Sequence, residues 1–177
     1  AGIIAKKMWL PIKKFIASTN INKIVPEYLR TGIFSPTESI QTISNAMDVG
    51  NPSNFERILD LFNNSFNKLK DVVNGFYFTD DETKSAMKEI YLKFNYVVDP
   101  HGAIGYLGML DSMKYNPDSI GVFLGTAHPA KFLNIVEPVL NTEIEIPKRL
   151  QSFIKKTKIK KQISNFYDDF KNRILEN

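Results

Sequence analysis

Apolar residues recur at helical spacing in several stretches of this chain, with shorter unbroken apolar runs between them. Residues 2–9 read as the end of a helix, stopped by Leu10-Pro11. Residues 12–18 group Phe15, Ile16 and Ala17 as a buried strand would. Ile24, Val25, Tyr28 and Leu29 then fall on one helical face within residues 20–32, and Gly32 supplies the stop. Residues 33–45 are polar and loop-like. The clearest periodicity is Phe55, Ile58, Leu59, Phe62, Phe66, Leu69 and Val73, which predicts one long helix over residues 55–74 ended by Gly75. Thr79-Asp80-Asp81-Glu82 is written as a capping box for a helix that buries Ala86, Met87, Ile90, Tyr91 and Phe94. Asp99-Pro100 opens another helix. Brief strands are predicted at 76–78 and 96–98, and the best one, continuous and apolar, at 119–125. Pro129 starts a helix through Val139. Helical patterns at 147–156 and 163–175 finish the chain, the last burying Ile163, Phe166, Phe170 and Ile174.

Strands alternating with helices predict an α/β fold: three layers, with a mainly parallel sheet flanked by helices and a helical C-terminal tail. Residues 1–140 would form the α/β domain and 141–177 the helical extension. Function in such sheets is expected at the carboxyl ends of strands, here 18–20, 99–102 and 125–128. Gly102, Gly105 and Gly108 fall three apart within one helix, where each glycine costs roughly 1 kcal/mol relative to alanine. Something must approach that backbone closely, by default a sheet, more sharply a ligand.

With 177 residues, 43% of them apolar, the chain can bury a proper core as one domain with an appendage. It has no cysteine, hence no disulfide or thiolate nucleophile, which suits a reducing, cytoplasmic setting. No apolar run is long enough to cross a bilayer. The net charge of +4 conceals a local imbalance. Seven positive charges and no acid lie between Lys148 and Lys161, leaving the remainder slightly acidic. That cluster lacks interleaved aromatics and a nucleic-acid motif, so a solvated surface is favoured over a site for an acidic partner, and neither nucleic acid nor membrane is expected as a partner.

Chemistry concentrates in residues 44–57, SNAMDVGNPSNFER. Either Asn51 caps a helix with Pro52 at its first position, or Ser53 caps and Glu56 closes a box. Both leave backbone N–H groups suited to an anion such as phosphate, and both equally describe an ordinary structural cap. The two histidines, His101 and His128, sit at strand-to-helix junctions. No spacing supports a metal site with Asp99, and a Ser-His-Asp triad could be assembled from any chain this long. No Walker loop or GxGxxG fingerprint is present. Composition and spacing reach a polar site at strand ends, and no reaction.

SNAMDVGNPSNFER, DPHGAIGYLG and FLGTAHPAKF, in this order and spacing, resemble the C-terminal part of threonine synthases. The opening AGIIAKKMWLPIKKFIASTNINKIVPEYLRTG is similar to the segment that follows that family's phosphate-binding glycine loop. The likeness runs from Ala1 to about Leu140 and is looser in the tail. It implies a fold-type-II enzyme that uses pyridoxal 5'-phosphate to convert O-phosphohomoserine and water to threonine and phosphate. The cofactor would act as electron sink for carbanions at Cα and then Cβ. The threonine of GTAHP, here Thr126, would hydrogen-bond the pyridine nitrogen; its alternative role is to cap the helix at Pro129. Asp48, Asn51, Ser53 and His128 would line the substrate pocket. Lys131 is not the Schiff-base lysine, which the resemblance places in an N-terminal segment this chain lacks, so no catalytic residue is assigned and the chain alone is expected to be inactive. Self-association through surface left uncovered is expected. The alternatives are another fold-type-II enzyme such as a dehydratase, or a non-catalytic module binding through Lys148 to Lys161.

Overall fold

The computed structural model describes residues 2–154, 156–157 and 159–176, with only the main chain of Ile154. The chain divides into two units, residues 1–144 and 145–177.

In the first unit, α1 (Gly2–Lys7) leads to β1 (Phe15–Thr19), and α2 (Ile24–Thr31) ends on Gly32 in the left-handed region at φ 77°. A loop with one turn of 3-10 helix at Asn45–Met47 precedes α3 (Phe55–Leu61) and α4 (Phe66–Lys70). β2 (Val73–Tyr77) pairs in parallel with β1, Phe15 opposite Val73 and Thr19 opposite Tyr77. Next come α5 (Asp80–Phe94), α6 (Pro100–Lys114), a 3-10 turn at Pro129–Phe132 and α7 (Leu133–Leu140).

Glycine contacts show how the layers stack. Neighbouring residues of a strand face opposite sides. A Cβ on Gly75, which pairs with Ala17, would meet Pro26 Cα of α2 at 2.7 Å. A Cβ on Gly108 of α6 would run into the hydroxyl of Ser18 and lie 3.2 Å from Ile16 Cγ2. Helix α2 therefore covers the Ala17 face and α6 the Ile16/Ser18 face. The parallel three-layer arrangement stands, on a two-stranded sheet. Close packing on that sheet accounts for Gly108, while Gly102 closes on Val98 and its own cap residue Asp99. One core joins α2 to β2 through Tyr28, Leu29, Phe55, Phe62, Leu69 and Val73, with Phe55 edge-on to Tyr28 at 4.9 Å. The other joins α5, α6 and α7 through Met87, Ile90, Ala103, Tyr106 and Val136.

Several predicted elements are corrected. The long helix over 55–74 is three elements. Asn63 and Asn64 adopt left-handed φ of 54° and 55°, which breaks the helix between α3 and α4, and Gly75 lies inside β2 rather than ending a helix. Asparagine tolerates that region through its short polar side chain, a signal the apolar periodicity hides. Neither predicted cap acts for α3, which begins after Asn54 without a side-chain cap. Residues 96–98 and 119–125 form no strand, having no ladder partner among the described residues. Ile120, Val122 and Leu124 are accordingly 94, 75 and 76% exposed. Phe94 of α5 is likewise exposed. The helix predicted from Pro129 is a 3-10 turn running into α7.

The second unit holds α8 (Lys148–Ile154) and α9 (Tyr167–Leu175). The face predicted to be buried over 163–175 is exposed at Ile163, Phe166, Phe170 and Ile174. Within the basic segment, Lys155 and Lys158 lie outside the described residues. Among the described residues no helix is long and apolar enough to cross a membrane.

Candidate functional site

The site is built at the carboxyl end of β1. Asn20, immediately after the strand, is 1% exposed and donates from Nδ2 to Ser44 Oγ at 3.1 Å, Thr42 Oγ1 at 2.8 Å and Asp48 Oδ1 at 2.8 Å. Its Oδ1 accepts from the N–H and the Nδ2 of Asn22, both at 2.9 Å. Asn22 in turn donates to the Ile40 carbonyl and accepts from the Ile40 N–H, which ties the polar loop to the strand end. Asp48 also accepts from Thr42 N–H at 3.0 Å and from Thr42 Oγ1 at 2.7 Å. Buried polar groups are costly unless paired, and a network this complete fixes the loop in one arrangement.

A second anchor comes from α6. Asp99 caps that helix, accepting from Gly102 N–H at 3.1 Å and from His101 N–H at 3.3 Å. Its Oδ2 also faces His101 Nδ1 at 2.7 Å. His101 Nε2 accepts from the Ala46 N–H of the loop at 3.2 Å, and Phe132, in the turn after His128, lies against the imidazole at 4.9 Å. Two of the three strand-end junctions predicted to matter therefore converge on the SNAMDVG loop, and Phe132 brings the segment that follows the third against His101.

Between β1 and this loop is a cavity of about 350 Å³. Its wall includes Thr19 and Asn22, Ile24 and Val25 at the start of α2, and Met47, Val49, Asn51, Pro52, Ser53 and Asn54. That volume suits a small metabolite. The lining is amide, hydroxyl and apolar, without a charged side chain, so a bound anion would rest on N–H and O–H donors. Lys23, next to Asn22 in sequence, is held above its ordinary value of 10.5, first by the Tyr77 hydroxyl and then by Glu27.

The predicted residues separate into groups. Asn51 and Ser53 line the cavity. Asp48 stands behind it, its carboxylate engaged by Asn20, Asn22 and Thr42. Thr126 and His128 do not line this cavity. Thr126 is exposed on a segment outside helix and strand, its hydroxyl without a hydrogen-bond partner among the described residues. The cap at Pro129 belongs to His128, whose Nδ1 accepts from Ala130 N–H at 3.1 Å. His101 Nε2 meets a backbone amide rather than a serine, so no triad forms, and among the described residues no cluster of three potential metal ligands occurs. Sequence reasoning placed Asn20 at a strand end and Ser44 in the loop motif without a role for either, and missed Asn22 and Thr42. The available signal was the run of polar residues directly after a buried strand.

Known proteins share both sequence and architecture with this chain. Residues 102–174 match the model of the family described as threonine synthase, C-terminal. The threonine synthase of Buchnera aphidicola subsp. Acyrthosiphon pisum is 42% identical over 99% of this chain and 40% of its own length. The crystal structure of threonine synthase from Escherichia coli superimposes with a TM-score of 0.87 at 35% identity, covering 99% of this chain and 40% of that one. A structure of threonine synthase from Brucella melitensis with bound PLP superimposes at 0.74 with 27% identity, covering 88% and 38%. The chain thus spans 34% to 40% of the length of these curated relatives. Family model, relatives and fold agree: over nearly its whole length the chain is similar to threonine synthases and corresponds to their C-terminal part.

Proposed function

We propose that this chain provides the C-terminal part of an enzyme that converts O-phosphohomoserine and water to threonine and phosphate, with pyridoxal 5'-phosphate as cofactor. The observation that carries the reading is the superposition of nearly the whole chain on threonine synthase structures, with the SNAMDVG loop anchored beside a cavity at the end of β1. Pyridoxal phosphate, when bound, supplies an electron sink for carbanions at Cα and Cβ.

The residues present fit that group at one point. Thr126 carries an exposed hydroxyl with no partner among the described residues, suited to donate to the pyridine nitrogen. A hydroxyl there, rather than a carboxylate, would leave that nitrogen largely unprotonated and would temper the sink. Asn51 and Ser53 would bind the substrate's polar groups from the cavity wall, and Asp48 would keep that wall in place. His128, which lies outside this cavity and spends its Nδ1 on its cap, is given no role toward the substrate. The 177 residues alone are inactive in this reading, because the resemblance places the Schiff-base lysine and the cofactor's glycine loop in another segment.

A chimera tests the assignment. These 177 residues replace the corresponding part of the Escherichia coli enzyme, and phosphate release from O-phosphohomoserine is measured alongside growth of a threonine auxotroph. Turnover that falls at least tenfold on Thr126→Val supports the assignment. A folded chimera that binds the cofactor yet releases no phosphate refutes it.

A further inference from the structure

We propose that His101 is a positioning residue which, as its Nδ1–H tautomer, fastens the SNAMDVG loop to the start of α6 and so sets one wall of the cavity. The polarity of its neighbours dictates the tautomer. Which ring nitrogen carries the proton is set by the bond the other nitrogen makes. At Nε2 the neighbour is the Ala46 N–H, a donor, so Nε2 must be the acceptor. The proton then sits on Nδ1, directed at Asp99 Oδ2 at 2.7 Å.

Asp99 thus does two things at once: Oδ1 caps α6 through Gly102 N–H, and Oδ2 orients the imidazole. The pair is buried, Asp99 at 2% and His101 at 8%, and Phe132 lies against the ring. Ala46 is on the exposed part of the loop, so without the imidazole its N–H would meet water. Met47, the next residue, lines the cavity, and Asp48 after it enters the Asn20 network. A shift at Ala46 is therefore delivered to both.

His128 provides an internal contrast. Its Nδ1 accepts from the Ala130 N–H, so it must be the Nε2–H tautomer. The only two histidines of the chain are held in opposite forms.

The proposal rests on the reading above only in calling this cavity a substrate wall, and its test needs no substrate. Long-range proton–nitrogen spectra of the histidine-labelled 177-residue chain should show one histidine of each tautomer, with His101 protonated at Nδ1. A proton on Nε2 of His101 overturns the proposal without any variant. Asp99→Asn keeps an oxygen to cap α6 but turns an amide donor toward Nδ1, which should drive the proton to Nε2, against Ala46. Amide exchange at Ala46 should then rise on the order of tenfold while α6 stays helical. His101→Leu should do the same. His101→Gln, whose carbonyl can take the Nε2 position, should restore protection. Unchanged exchange at Ala46 in folded Asp99→Asn and His101→Leu chains also overturns it. Loss of turnover in the chimera with these results intact would count against the assigned reaction, not against the clamp.

Discussion

Two glycines of the first unit should answer the same substitution with opposite signs. In β2, a Cβ on Gly75 would lie 2.7 Å from Pro26 Cα, 3.0 Å from Leu29 Cδ1 and 3.2 Å from Pro26 Cβ. The nearest atom belongs to the backbone of α2, which cannot rotate aside, so strand and helix must separate. Overpacking of this kind costs about 1–3 kcal/mol. Restricting the unfolded chain offsets about 0.4–1 kcal/mol. Gly75→Ala should therefore lose about 1.3 kcal/mol, the middle of a range from about 0 to 2.6. In α6, by contrast, a Cβ on Gly105 would meet Phe123 Cβ at 3.5 Å, an ordinary contact. Only the helix term remains there, and Gly105→Ala should gain up to about 1 kcal/mol. Urea unfolding followed by circular dichroism separates the two: the midpoint falls for the first and rises for the second, with the slope unchanged. Pro26→Ala should not rescue Gly75→Ala, because the Cα stays. Shifts in the same direction for both glycines would refute the packing argument.

Three further outcomes are expected. Thr79→Ala removes the hydroxyl that accepts from Glu82 N–H at the start of α5 and should cost about 1 kcal/mol in the same assay. Glu27 is held below its ordinary value of 4.5, first by Arg30 at 2.6 Å and then by Lys23 at 3.4 Å. Its contribution is complete above that ordinary value and lost as pH falls through the depressed one. The stability difference between the parent chain and Glu27→Gln should therefore close in acid, and a difference that widens there would contradict the sign. Ile120→Lys and Val122→Lys change residues that are 94 and 75% exposed, so each should leave stability within about 0.5 kcal/mol. Both should weaken the self-association expected of this chain in sedimentation.

What the sequence made legible was local. The capping box at Thr79, the Asp99 cap and the Gly32 stop are each written in residues a few positions apart, and each is found. The misreadings concern non-local partners. Residues 119–125 have a strand's composition, but a ladder needs a neighbour, and none lies among the described residues. The repeat from Phe55 to Val73 carried on through Asn63 and Asn64, because the same apolar core accepts side chains from α3, α4 and β2 in turn. In the site, the loop and the strand ends were recognisable, whereas the bonds between them were not. Asn20 and His101 are far from Ala46 and Asp48 in sequence and meet them only after β1 and α6 are stacked.

The pairing of β1 with β2 also bears on the order in which the chain comes together. Phe15 must find Val73, and Thr19 must find Tyr77, across everything between the two strands. Drawing in so long a loop costs entropy before the first ladder bond repays it. The contacts of α5 with α6, adjacent along the chain, carry little of that cost. The α5–α6 pair is thus the natural early nucleus and the parallel ladder the slow, late event. The polar loop, enclosed within the same span, is ordered only when that ladder closes. A chain caught before closure would show the helical signal of α5 and α6, without that of the short helices packed on β2, and no organised cavity.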